Sequence, residues 1–255
     1  VVTDRTRVLA LTHASNVTGA ITPLADILPA ARAASALVVL DTCQSAAHLP
    51  LDFADLSAAG VDAMVLSSHK MLGPTGVGAL VATEELLDAM PPVLTGGSMI
   101  EVVTMESSTY MPAPARFEAG SQPLAQAAGW RASVGYLARL GMDRLHAGEQ
   151  VLTRRVLDGL AAIEGVRLLG PADTTQRLGV VAFTIDGVHP HDVGQVLDAA
   201  GVAVRTGHHC AQPIHAHFGT ASSSRVSFGP TSTSAEADRF LEAVASVRSY
   251  FRRRA

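Results

Sequence analysis

The chain is short of cysteine. Only Cys43 and Cys210 occur in 255 residues, too few for a disulfide framework. A reducing, cytoplasmic setting is the expectation. Charge of one sign is lacking too. Lys and Arg number 19 against 23 Asp and Glu, a net charge of −4. That balance gives no electrostatic case for nucleic acid or an anionic membrane as a partner. The basic Arg252–Arg254 end is expected to do no more than cap the C-terminal end of a helix. No apolar run approaches the roughly 18 residues that a membrane-spanning helix needs. No signal peptide is read at the start, and no repeat or low-complexity segment follows. A starting Met is also missing. The chain opens Val1-Val2-Thr3-Asp4, as expected of a fragment or of a valine-type start codon read literally.

The composition does supply a core, because 48% of the residues are hydrophobic. Short apolar runs at Arg7–Thr12, Leu37–Leu40, Val61–Leu66 and Val77–Ala82 lack strict alternation. Helical stretches such as Thr22–Ala34 separate them. That pattern predicts a mostly parallel sheet covered on both faces. Ligands of such sheets sit beyond the carboxyl ends of the strands. Asp41 and Ser67-Ser68-His69-Lys70 both fall at such ends.

From Pro123 to Ile163 the pattern is helical, with a break near Gly141. Strands are predicted at Val166–Leu169, Val180–Ile185, Val202–Arg205 and Arg225–Phe228. Helices are predicted at His191–Ala200 and Ala235–Phe251. The expected organisation is α/β: a large domain over residues 1–135 and a smaller α+β domain over 136–255.

Two groups of residues carry chemistry. Asp41 follows a buried strand, so its charge needs a partner. Lys70 follows another strand end. A lysine with a depressed pKa at such a place can form an imine, and a nearby aspartate can hold a pyridinium nitrogen protonated. The bland alternative is a turn-capping Asp41 and a surface Lys70. The second group is Arg205-Thr206-Gly207-His208-His209-Cys210. Its cations favour the thiolate of Cys210. The alternatives are an inert cysteine and a zinc site, the latter kept open by His215 and His217. Cys43 reads as a small packed residue.

Six motifs stand in order: Thr12-His13-Ala14-Ser15-Asn16 with Gly19; Asp41-Thr42-Cys43-Gln44-Ser45; Ser67-Ser68-His69-Lys70; Gly73-Pro74-Thr75-Gly76; Arg116-Phe117-Glu118-Ala119-Gly120; and Arg205 through Cys210. Together they resemble the SufS-type (group II) cysteine desulfurases, class V aminotransferase relatives with the fold-type I architecture of pyridoxal phosphate (PLP) enzymes. The resemblance implies a homodimer that converts L-cysteine to L-alanine and leaves a persulfide on Cys210 for iron–sulfur cluster assembly. It implies that Lys70 holds PLP as a Schiff base and later moves protons on the substrate. Asp41 pairs with the pyridinium nitrogen, Gln44 with the phenolic oxygen, and Ser67 and His69 with the phosphate. Ser121 takes the place of a residue that reaches the partner subunit's phosphate. Asn16, Arg205 and Arg225 contact substrate.

The resemblance further implies a SufU- or SufE-type sulfur acceptor. With a SufU-type acceptor, His191 would serve as a transient zinc ligand. Selenocysteine lyase activity, another class V activity, or a non-catalytic remnant or half of a split enzyme remain alternatives.

Three departures stand out against the family pattern. Ser68 replaces a glycine, Phe228-Gly229-Pro230 replaces a stretch ending in Tyr-Asn-Thr, and Ser121-Gln122-Pro123 varies the partner-contact turn. The family's glycine–threonine phosphate turn and its ring-stacking histidine precede Val1. About the first third of a family chain is therefore expected to be absent.

Overall fold

The structure, a computed structural model, describes residues 2–252. The expected cationic cap at Arg252–Arg254 rests on side chains outside the described residues. The chain forms two compact units. The first comprises residues 1–12, 23–47 and 51–139, and the second comprises 13–22, 48–50 and 140–255.

The first unit is built on a four-stranded sheet in the order β1 (Val8–Thr12), β2 (Leu37–Asp41), β3 (Ala63–Ser67), β4 (Gly78–Ala82). β1, β2 and β3 run parallel, and β4 returns antiparallel to β3. The sheet is therefore mixed, because only a short loop links β3 to β4 and a parallel crossover needs a dozen residues or more. α1 (Leu24–Ala33) begins after Pro23 and buries Leu28 and Ala31. These pack with Val38, Leu40, Val61 and Met64. α2 (Phe53–Ala59) starts where Asp52 accepts the amide of Ala54, and it stops at Gly60, whose φ of 113° suits glycine. α3 (Glu84–Ala89), the hairpin β5 (Ile100–Val103) and β6 (Ser108–Tyr110), and α4 (Leu124–Leu140) complete the unit.

The second unit packs α5 (Met142–Ala161), α6 (Pro190–Ala199) and α8 (Ser234–Arg252) on an antiparallel sheet. Its order is β7 (Val166–Leu169), β8 (Val180–Ile185), β10 (Ser223–Ser227), β9 (Arg205–Gly207). β8 shows why this sheet is buried on both faces. Its residues alternate with a period of two. Val181, Phe183 and Ile185 enter the main core with Leu160, Leu197 and Phe240, whereas Ala182 joins Val17 and Leu169 on the other side. The rings of Phe183 and Phe240 meet edge to face with centroids 5.8 Å apart. α7 (Gln212–His217) contributes Ile214, packed against the Val17 side.

The expected strand at Val202–Arg205 lies three residues later, at Arg205–Gly207. Val202 and Val204 instead pack as partly buried loop residues against the core. Their apolar character reflects burial rather than pairing.

Candidate functional site

The candidate residues fall into two groups, one in each unit. In the first unit, β2 and β3 deliver Asp41 and Ser67 as the last residues of adjacent parallel strands. Asp41 is exposed, and its Oδ1 accepts the amide of Cys43 at 2.9 Å. This closes a turn at the strand end, in which Gln44 follows Cys43. The hydroxyl of Thr42 donates to the carbonyl of Val65 at 2.8 Å and pins the turn to β3. The Cys43 Sγ accepts the hydroxyl of Ser67 at 3.0 Å. Burial raises the pKa of this thiol, and Lys70 opposes the rise through its charge. Cys43 is thus more than a packed residue, because it touches two of the expected cofactor ligands.

Ser68, His69 and Lys70 form one 3-10 turn directly after β3. Ser68 is buried, and its hydroxyl donates to the carbonyl of Pro74 at 2.6 Å. The carbonyl of Ser68 in turn accepts the amides of Met71 and Gly73. His69 and Lys70 project from this braced turn and are exposed. A Cβ on Gly73 would lie 2.5 Å from the Ser68 hydroxyl oxygen, so the turn and its glycine are mutually fitted. Ser121 is exposed and lines a separate cleft of about 310 Å³ with Gly120 and Gln122.

In the second unit, Arg205 opens β9 and Arg225 sits in β10, and the register pairs them as direct neighbours. Two arginines paired across the strands, with no ion pair to a carboxylate among the described residues, form an anion-seeking pair. Burial first, and then the charge of Arg205, lowers the pKa of Arg225. Its Nε is buried without a partner among the described residues, and its Nη1 donates to the carbonyl of Asn16 at 2.7 Å. The amide nitrogen of Asn16 donates to the carbonyl of His209 at 2.6 Å. Asn16 therefore links the arginine to the cysteine turn.

Cys210 is exposed, with the Nη2 of Arg205 3.5 Å from its Sγ. His209 and Cys210 have φ of 52° and 62°. Two successive left-handed residues that are not glycine cost about 1–3 kcal/mol each and persist only when their surroundings fix them. His209 is 2% exposed and His215 is 1% exposed. Both rings bond to the hydroxyl of Ser223, at 3.0 Å and 2.9 Å. Desolvation, helped by Arg225, His215 and Arg205, drives the His209 pKa down to about 4. Neither His215 nor Ser223 was expected in this role. The signal for His215 was its place in the same short histidine-rich stretch, five residues beyond Cys210.

Among the described residues, no group of three His, Cys, Asp or Glu is placed to hold a metal ion. His191 is exposed in the first turn of α6, its amide donating to Nδ1 of His189. No helix among the described residues is long and apolar enough to cross a membrane.

The Aminotransferase class-V family matches residues 1–240. The chain belongs to that family. It is similar to probable cysteine desulfurase 2 of Mycobacterium leprae (strain TN), with 49% identity over 250 residues that make up 98% of this chain and 59% of that protein. Its fold is similar to that of apo cysteine desulfurase from Thermococcus onnurineus NA1, with a TM-score of 0.90 and 34% identity over 95% of this chain and 60% of that one. It is also similar to a mutant of C-DES carrying glycine covalently linked to PLP, with a TM-score of 0.79 and 26% identity over 95% of this chain and 61% of that one. The chain spans about 60% of the length of the proteins it matches. The class V assignment fits the mixed sheet with Asp41, Ser67 and Lys70 at its strand ends, followed by an α+β unit carrying Cys210.

Proposed function

We propose that this class V chain carries the residues of a PLP-dependent cysteine desulfurase, with L-cysteine as substrate. The observation that carries this reading is the exposed Cys210, held in a left-handed turn with the Arg205 guanidinium 3.5 Å from its sulfur. Reactive cysteines sit in electropositive, solvent-accessible surroundings, and a fixed, exposed thiol is placed for attack on sulfur.

The donor set of the first unit fits PLP by its chemistry. Lys70 offers a primary amine to an aldehyde, Asp41 a carboxylate to a pyridinium N–H, and Gln44 an amide to a phenolic oxygen. Ser67 and His69 offer donors to a phosphate. When bound, PLP supplies an electron sink for the carbon skeleton of the amino acid. Lys70 releases and returns protons at the substrate carbons. Arg225 and Arg205 pair with the substrate carboxylate, with Asn16 holding Arg225 in place. Cys210 attacks the sulfur of the substrate. An S–S bond forms, the C–S bond breaks, and its electron pair stays on the carbon skeleton, which takes up a proton and leaves as L-alanine. The persulfide on Cys210 then passes to an acceptor of SufU or SufE type for iron–sulfur cluster assembly, with His191 as a transient zinc ligand where the acceptor is of SufU type. The same reading makes the working assembly a homodimer in which Ser121 reaches the partner subunit's phosphate. It also sets the reaction in the cytoplasm, with residues 1–135 as the cofactor domain and 136–255 as the cysteine-bearing domain.

The test starts from the purified chain mixed with PLP. The expected result is the visible absorbance band of lysine-bound PLP, lost in Lys70→Ala. L-cysteine should then yield alanine and, with reductant, sulfide, and Cys210→Ser should abolish both. A wild-type chain that shows no band overturns the cofactor reading for this chain. Turnover that survives Cys210→Ser overturns the sulfur-acceptor role.

A further inference from the structure

The turn that presents Cys210 is gripped on both sides by one run of hydrogen bonds. His209 precedes the cysteine and Ala211 follows it. The Nε2 of His209 lies 3.0 Å from Ser223 Oγ, and the Nε2 of His215 lies 2.9 Å from the same oxygen. The Nδ1 of His215 lies 3.0 Å from the carbonyl of Ala211. The run therefore starts on one neighbour of Cys210, passes through Ser223 and His215, and ends on the other.

Its proton order follows from which atoms can donate. A carbonyl has no proton, so Nδ1 of His215 donates to Ala211. Where that is the ring's one proton, its Nε2 accepts, and the hydroxyl of Ser223 supplies that proton. Ser223 Oγ is then free to accept from Nε2–H of His209. The Nδ1 of His209, buried and without a partner among the described residues, is left holding a lone pair. That is the cheaper choice, because a buried orphan N–H is rarer than an under-used acceptor. Burial first, and then the charges of Arg225 from β10 and Arg205 from β9, keep the His209 ring neutral, with the ring of His215 from α7 packed at a centroid distance of 5.6 Å. A second tether, from the Asn16 amide to the His209 carbonyl at 2.6 Å, holds the backbone of the same residue.

We propose that Ser223 and His215 are positioning residues for Cys210, forming a directional clamp that fixes His209 as the Nε2–H tautomer and holds the left-handed turn so that the thiol stays beside Arg205. The proposal rests on the reading of Cys210 as the sulfur-accepting nucleophile. Its geometry does not involve the cofactor. Ser223 is fully buried in β10, so its hydroxyl has no role in contacting solvent or a docking protein.

The experiment is the rate of Cys210 alkylation by iodoacetamide across pH 5–9, followed by peptide mass spectrometry in a Cys43→Ser background. Ser223→Ala is expected to slow alkylation at neutral pH by about fivefold, the effect of one lost hydrogen bond on the turn. Ser223→Thr keeps the hydroxyl and is expected to restore the rate and the pH profile. An unchanged or faster rate in Ser223→Ala, or no recovery in Ser223→Thr that is folded by circular dichroism, overturns the proposal. A measurement without substitution guards against misfolding: the 15N imidazole spectrum of the wild-type chain near pH 7 should show His209 protonated at Nε2. Protonation at Nδ1 overturns the clamp. Alkylation and tautomer are read without PLP or L-cysteine. Failure of the desulfurase reading would therefore appear as absent alanine formation, with these two results intact.

Discussion

The hydroxyl of Ser67 points to the sulfur of Cys43, 3.0 Å away, at the carboxyl ends of adjacent strands. The backbone amide of Cys43 meanwhile donates to Asp41. One residue, through its backbone amide and its sulfur, thus couples the expected pyridinium partner to an expected phosphate ligand. Burial holds this thiol protonated to higher pH than an ordinary cysteine, whereas Cys210 is exposed beside Arg205. The two thiols should therefore differ in reactivity. With limiting iodoacetamide at pH 7, Cys210 is expected to label about tenfold faster than Cys43, since thiolate fraction and access both set the rate. Peptide mass spectrometry over a time course reads the ratio. Equal rates would contradict the burial argument.

Ser68, where the resemblance leads one to expect glycine, has a side chain that is used. It is fully buried and spans the turn to the carbonyl of Pro74 at 2.6 Å. Ser68→Ala is expected to lower stability by about 1 kcal/mol, the common net value of one buried hydrogen bond. Ser68→Gly should cost more, because it also frees the backbone next to His69 and Lys70. Urea denaturation measures both. PLP titration of the same variants should show weaker binding in Ser68→Gly than in Ser68→Ala.

The neutral burial of His209 has a consequence in acid. Its pKa is about 4 in the fold and close to 6.5 in an unfolded chain. Between those values the unfolded chain binds a proton that the folded chain refuses, so unfolding is favoured as pH falls. The stabilisation is complete above pH 6.5 and is lost progressively as pH drops from 6.5 toward 4, by on the order of 2 kcal/mol. His13, whose pKa burial also lowers, adds a loss of the same sign. His209→Gln should flatten the slope of stability against pH in this window while lowering stability at pH 7. Denaturation midpoints at pH 7.0, 6.0 and 5.0 provide the check.

Much of this molecule was legible in advance because its signals are local. The helix break at Gly141, the strands Val166–Leu169 and Val180–Ile185, and the strand-end positions of Asp41 and Lys70 follow from periodicity and runs within about 20 residues. What stayed hidden depends on distant partners. Ser223 looks like one serine in a polar run, and only the pairing of β10 with β9 brings it under His209 and His215. The hairpin β5–β6 carries exposed valines and little alternation, so no pattern announced it. The reversal of β4 was equally silent, since an apolar strand reads the same in both directions.

A glutamate buried at 3% exposure needs a partner, and Glu149 on α5 has one in His48. Both carboxylate oxygens lie within 2.9 Å of Nδ1 of His48, and the carbonyl of Glu149 accepts the hydroxyl of Thr153. Removing only the imidazole leaves a carboxylate buried without its donor, which commonly costs about 3–5 kcal/mol. His48→Ala is therefore expected to be strongly destabilising. The double variant His48→Ala, Glu149→Gln removes the stranded charge and should recover about 1–2 kcal/mol of the loss, because a neutral amide is cheaper to bury than an unpaired carboxylate. Guanidinium denaturation of the wild type, both single variants and the double variant closes the cycle. Additive losses would mean that the two side chains do not interact energetically, and the observed 2.8 Å contact would then contribute nothing to stability.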